Sequence, residues 1–112
     1  MDFEQYIFNE PKPLQPQRPV LKGKTANDHR EYADLLEAYD GAMIIFKKKL
    51  EGWYERKDAK RNQFKEDLLK ELRLGIYPTD KVEKLWDMAW ERNDEGLEAV
   101  YDYACELAKL VK

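Results

Sequence analysis

With 112 residues, 43% of them hydrophobic and 38% charged, the chain has the size of one compact domain with a modest core and long solvated faces. Its 20 basic and 23 acidic residues leave a formal charge of -3, which argues against both a generic nucleic-acid binder and a strongly acidic mimic of DNA. A single cysteine, Cys105, excludes an intrachain disulfide and points to a reducing compartment.

The start, Met1-Asp2-Phe3-Glu4, lacks the basic-then-apolar order of a signal peptide. Residues 1–24 read as an extended N-terminal arm. Phe3, Tyr6, Ile7 and Phe8 make an apolar tip, and Pro11, Pro13, Pro16 and Pro19 follow. Proline fixes φ and removes a donor, so no helix passes through this stretch, and polyproline or extended chain is expected. It is either a disordered tail or an ordered strap.

Residues 25–112 read as a single helical domain. Thr25 opens the first helix, with Asp28 in the reciprocal slot of a capping box. From there Tyr32, Leu36, Tyr39, Met43, Phe46, Leu50 and Trp53 recur at steps of 4 and 3, which sets all seven on one helix face and marks it as the candidate interaction face. Leu35, Ala42 and Ile45 widen it. The longest apolar run, Ala42 to Phe46, is far too short to span a bilayer, so no membrane association is expected and the setting is cytoplasmic. The stripe lapses at Lys57 and Lys60 and resumes with Phe64, Leu68 and Leu72. The helix therefore either runs through or bends near 57–60. Gly75, followed by Pro78, is the expected stop.

A second helix is expected from Thr79 or Asp80, with Asp80 and Glu83 as a cap-like pair and Val82, Leu85, Trp86, Ala89 and Trp90 along one face. Asn93-Asp94-Glu95-Gly96 breaks it, and a third helix carries Leu97, Val100, Tyr101, Ala104, Leu107, Ala108 and Val111. Nothing alternates with period 2, so the fold class is all-α: a long N-terminal helix followed by a C-terminal helical hairpin. The long helix would reach about 75 Å and each later helix roughly 20 Å at 1.5 Å per residue. The hairpin then covers only the Phe64 to Leu72 end. The arm, which spans up to about 80 Å when extended, a second copy, a bend or another partner must cover the stripe.

Charge is unevenly placed. Lys47, Lys48, Lys49, Arg56, Lys57, Lys60, Arg61 and Lys65 face only Glu51, Glu55 and Asp58 along the same stretch. Nine acidic residues lie between Asp80 and Glu106, against Lys81, Lys84 and Arg92. The two ends either pair with each other, or the basic segment, with Trp53 and Tyr54, grips phosphates or an acidic protein. His29 and Cys105 each stand alone, no phosphate-cradling or metal-ligand motif occurs, and neither catalysis nor a cofactor or metal is expected.

The C-terminal half presents Phe64-Lys65-Glu66-Asp67-Leu68-Leu69, then Gly75-Ile76-Tyr77-Pro78, Leu85-Trp86-Asp87-Met88-Ala89-Trp90-Glu91, Gly96-Leu97-Glu98-Ala99-Val100-Tyr101-Asp102-Tyr103 and a closing Leu107 to Val111. This order resembles the C-terminal region of a group of small tailed-bacteriophage accessory proteins that read F-x-x-D-L, a short turn, A-W-E, G-x-x-E-V and D-L-x-x-L. Here Ala99 stands where that pattern has glutamate, Glu106 replaces the last aspartate, and Arg92 to Gly96 replaces a turn rich in glycine and histidine. The resemblance implies a phage or prophage accessory protein and no activity. The expected function is non-enzymatic binding that modulates or inhibits a host or anti-phage defence protein in the host cytoplasm. Alternatives are a nucleic-acid-binding protein using the basic segment, or a virion structural or scaffolding subunit. A homodimer through the heptad face is a further expectation.

Overall fold

In the computed structural model, residues 1–111 are described, and they form three α-helices: α1 (Ala26–Glu71), α2 (Thr79–Trp90) and α3 (Leu97–Val111). Single 3-10 turns at Glu4–Tyr6 and Asn93–Glu95 complete the set, with no strand among the described residues. The chain is all-α, as the periodicities require.

Helix α1 starts where the capping box places it. The Thr25 hydroxyl accepts from the Asp28 amide at 3.1 Å, and the Asp28 carboxylate accepts from the Thr25 amide at 3.2 Å and from its hydroxyl at 2.8 Å. Aspartate is shorter than the usual glutamate, yet both otherwise orphaned donors are satisfied. Helical structure continues through 57–60 without a break.

The end of α1 differs from expectation. The residue in the left-handed region is Arg73 (φ 56°), not Gly75. The Leu74 amide donates to the Leu69 carbonyl at 3.1 Å and the Arg73 amide to the Lys70 carbonyl at 3.1 Å, which is the bond pair of a Schellman cap. The reason is burial. Reversal at Arg73 delivers Leu74 to the core, where it is 1% exposed, and that gain offsets the strain of a non-glycine residue at positive φ.

Helix α2 begins directly after Pro78, with no side-chain cap, so the Asp80–Glu83 pair does not form there. Glu83 instead receives Lys65 Nζ of α1 at 2.6 Å. Between α2 and α3, Gly96 takes φ 104° and ψ 167°, a region open in practice only to glycine.

Packing divides the chain into two compact units: Met1–Phe8 with Asp58–Lys112, and Asn9–Lys57. The division falls inside the arm and inside α1. The first unit holds a continuous core. Phe64 and Leu68 of α1 are fully buried with Val82, Leu85, Trp86 and Ala89 of α2 and Val100, Ala104 and Ala108 of α3. The hairpin covers the Phe64 to Leu72 end, as its length dictates. The small side chains at Ala89, Ala104 and Ala108 let helix backbones approach closely, since interiors fill to crystal-like density.

Phe3 and Tyr6 of the arm's apolar tip also belong to this core, a placement the sequence leaves open, while Ile7 is 52% exposed. Tyr6 is buried, its ring centroid 5.3 Å from that of Phe64. Phe3 lies 6.4 Å from Phe64 and 5.7 Å from Tyr101. Edge-on aromatic clusters of this kind add to the area they bury.

In the second unit the rest of the arm is an ordered strap. The Glu10 carbonyl accepts from the Trp53 indole at 2.9 Å, and Glu10 Oε2 accepts from Arg56 Nε at 2.7 Å. Lys12 Nζ sits 5.8 Å from the Tyr54 ring centre and 6.0 Å from that of Trp53. At the other end Val20 and Lys22 share a small pocket with Asp28, Glu31, Tyr32 and Leu35. The strap thus runs antiparallel to α1. Between these anchors, a polyproline segment rises about 37 Å at 3.1 Å per residue. The matching stretch of α1 rises about 33 Å, so the two lengths suit each other. Pro13, Pro16 and Pro19 are half-buried, and a step of three keeps them on one side of a polyproline helix.

Candidate interaction surface

The predicted face is partly occupied by the chain itself. Trp53 is buried; Tyr32, Leu36, Tyr39, Met43, Phe46 and Leu50 are half-buried. Full burial of that face does not occur within one chain, because a single proline-rich strand is narrower than the stripe and its larger apolar residues, Leu14 and Val20, point to solvent at 91% and 76% exposure. The strap meets the stripe at Trp53 and again beside Tyr32, and the members between them stay half-buried.

What remains exposed lies off the stripe. Leu35, Ile44 and Ile45 of α1 are 50%, 59% and 57% exposed. Ile44 had no place in the heptad reading. At 100° per residue it falls roughly 130° from the centre of the stripe, on the helix's outward side. Branched aliphatic side chains this exposed on a helix forfeit part of the roughly 1.5–3 kcal/mol each gains on burial. The signal was present in the sequence as an apolar residue out of phase with its neighbours.

Part of the basic segment is engaged within the chain, although every member but Lys65 stays exposed. In the second unit Arg56 is paired with Glu10, and Lys57 Nζ lies 5.0 Å over the Trp53 ring. In the first unit Lys60 donates to the Gln5 carbonyl at 2.8 Å, and Lys65 binds Glu83 and lies 5.8 Å from the Trp86 ring centre. Lys47, Lys48, Lys49 and Arg61 are exposed. Pairing of the basic stretch with the acidic stretch after Asp80 is realised by Lys65 and Glu83, while Glu10 and Gln5 of the arm take other cations.

The Tyr6 hydroxyl donates to Asp67, which also receives the Gln63 amide at 3.1 Å. The bond from Tyr6, aided by Gln63, holds the Asp67 carboxyl below its ordinary range. The same bond raises the Tyr6 phenol to about 12. Half-buried Cys105 lies against Tyr101 and pushes that phenol up. His29 is exposed at the start of α1. Among the described residues no group of His, Cys, Asp and Glu is placed to hold a metal ion, and no helix is long and apolar enough to cross a membrane.

A protein-family model, described as a family of unknown function (DUF8546), matches residues 10–112. No curated protein and no solved structure matches the chain.

Proposed function

The chain belongs to that family of unknown function, which brings no activity with it, and from its own surface we propose that it is a non-enzymatic, phage-type accessory protein that binds and modulates a host or anti-phage defence protein. The observation that carries this reading is Ile44, 59% exposed on the outward side of α1. A strapped helix presenting an apolar side chain beside Lys47 and Lys48 is suited to a partner surface with an apolar groove and acidic rim, the helix-in-groove mode of recognition. The resemblance of the Phe64 to Val111 series to small tailed-phage proteins supplies the phage setting.

The test is capture of partners from bacterial lysate by tagged protein, with and without nuclease, repeated with Ile44→Asp. Nuclease-resistant capture of one protein, lost in Ile44→Asp, is the expected result. Capture that Ile44→Asp leaves intact would remove Ile44 from the site. A second reading rests on exposed Lys47, Lys48 and Lys49: binding of nucleic acid through phosphates. It requires nuclease-sensitive capture that falls steeply with salt and is abolished by reversing those three charges.

A further inference from the structure

We propose that a second copy of this chain docks antiparallel along α1 through a seam formed by Glu31, Leu35, Ala38, Ala42, Ile45 and Lys49. These residues follow one another at steps of 4, 3, 4, 3 and 4, so they share a helix face. Each of the five from Leu35 to Lys49 immediately precedes a member of the strapped stripe. The seam therefore lies about 100° round the helix from the stripe and beside the strap. It is open: Leu35 and Ile45 are 50% and 57% exposed, Ala38 is exposed and Ala42 half-buried.

The order of residue types is what selects a second copy over another partner. The seam's apolar positions match from either end, and its two terminal charges are opposite. About a two-fold axis at position 40, Leu35 meets Ile45 of the other copy, Ala38 meets Ala42, and Glu31 meets Lys49. An isologous interface demands such self-complementarity, whereas a foreign partner has no use for it. The two alanine pairs at the centre permit close helix approach, and the branched pairs fill the space outside them.

Charge fixes the direction. From Glu31 to Phe46 the helix carries Glu31, Asp34, Glu37 and Asp40 and no basic residue; Lys47, Lys48 and Lys49 follow at once. An antiparallel pair sets the acidic stretch of each copy against the basic triad of the other. A parallel pair would stack like charges together, which is unfavourable along a helix seam. This interface leaves Ile44 outside it, so the proposed host contact and the dimer stand or fall separately.

The test is mass in solution by light scattering and sedimentation over a dilution series of the full chain. The expected result is a monomer–dimer equilibrium. Leu35→Asp with Ile45→Asp abolishes the dimer while the helical far-UV spectrum is retained, and Ile44→Asp leaves it unchanged. Glu31→Lys alone weakens the dimer roughly tenfold, because each change recurs twice across a two-fold interface. Lys49→Glu does the same, and the two together restore it. A chain that is monomeric at every concentration overturns the proposal. So does a dimer indifferent to the seam substitutions, or one in which the exchanged pair shows no rescue.

Discussion

At Arg73 the backbone occupies a conformation that glycine adopts freely and arginine does not, while two residues on, Gly75 lies outside the positive-φ region. Arg73→Gly is therefore expected to stabilise the protein by about 1 kcal/mol, seen as a higher denaturant midpoint at unchanged slope. Gly75→Ala should cost little, since an added Cβ meets nothing within 4 Å. If Gly75→Ala proved the more damaging of the two changes, the assignment of Arg73 as the helix terminator would fail. The Tyr6–Asp67 bond makes a pH-dependent contribution with two edges. Asp67 has a folded pKa below its ordinary value, so its share is present above the carboxylate range and lost as pH falls through the folded value. Tyr6 has a folded pKa raised from 10.0 to about 12, so its share is complete below 10 and is lost as pH rises between those values. The stability difference between the wild type and Tyr6→Phe should be flat in the neutral range and shrink at both extremes. A difference constant from acid to alkali would show that the bond is not what Tyr6 contributes.

Among the elements, the start of α1 depends on a residue outside it. A Cβ at Gly23 would stand 2.2 Å from Asp28 Oδ2 and 2.9 Å from its Cγ, closer than any side-chain contact allows. Gly23→Ala should push Asp28 out of the capping box and cost about 1 kcal/mol, the usual worth of an N-cap. Asp28→Ala should cost as much, and the double variant little more than either, because both act on one cap. Full additivity in that cycle would mean that Gly23 serves something other than Asp28. The capping box itself was legible in Thr25 and Asp28, as was the absence of a helix through Pro11, Pro13, Pro16 and Pro19. The need for glycine at 23 was not, because it comes from how the strap returns to the helix it precedes.

For the whole molecule, the two units differ in how much they bury. Among the described residues the first has Phe64, Leu68, Leu74, Val100 and others at or near zero exposure; in the second, Trp53 at 9% is the buried apolar residue. Native-state hydrogen exchange should follow that contrast. At a dilution where the chain is monomeric, amides of α1 between 32 and 50 should exchange faster than those between 62 and 70, although both lie in one helix. Equal protection along α1 would show that the strap stabilises its helix as well as the hairpin stabilises the other end. Raising the concentration should slow exchange selectively around Leu35 to Ile45 if a second copy docks there.

What is periodic or local in this chain could be read from the order of its residues. The 3.6-residue recurrence of apolar positions settled the all-α class, the Thr25–Asp28 box set the start of α1, and the Asn93 to Gly96 break separated α2 from α3. Such signals act within a few residues, so they are complete in the order of the side chains. Where the non-directional attractions act emerged only with packing. Phe3 and Tyr6 matched the Tyr32 to Trp53 stripe and the Phe64 core equally well as apolar groups, because burial rewards area and not identity. The deeper aromatic contact at Phe64 took them and left the stripe to a strap of prolines. For the same reason Arg73 rather than Gly75 ends α1, since the position of Leu74 in the core outweighed local preference, and Arg56, Lys57, Lys60 and Lys65 were drawn from a free basic patch into contacts that only folding creates.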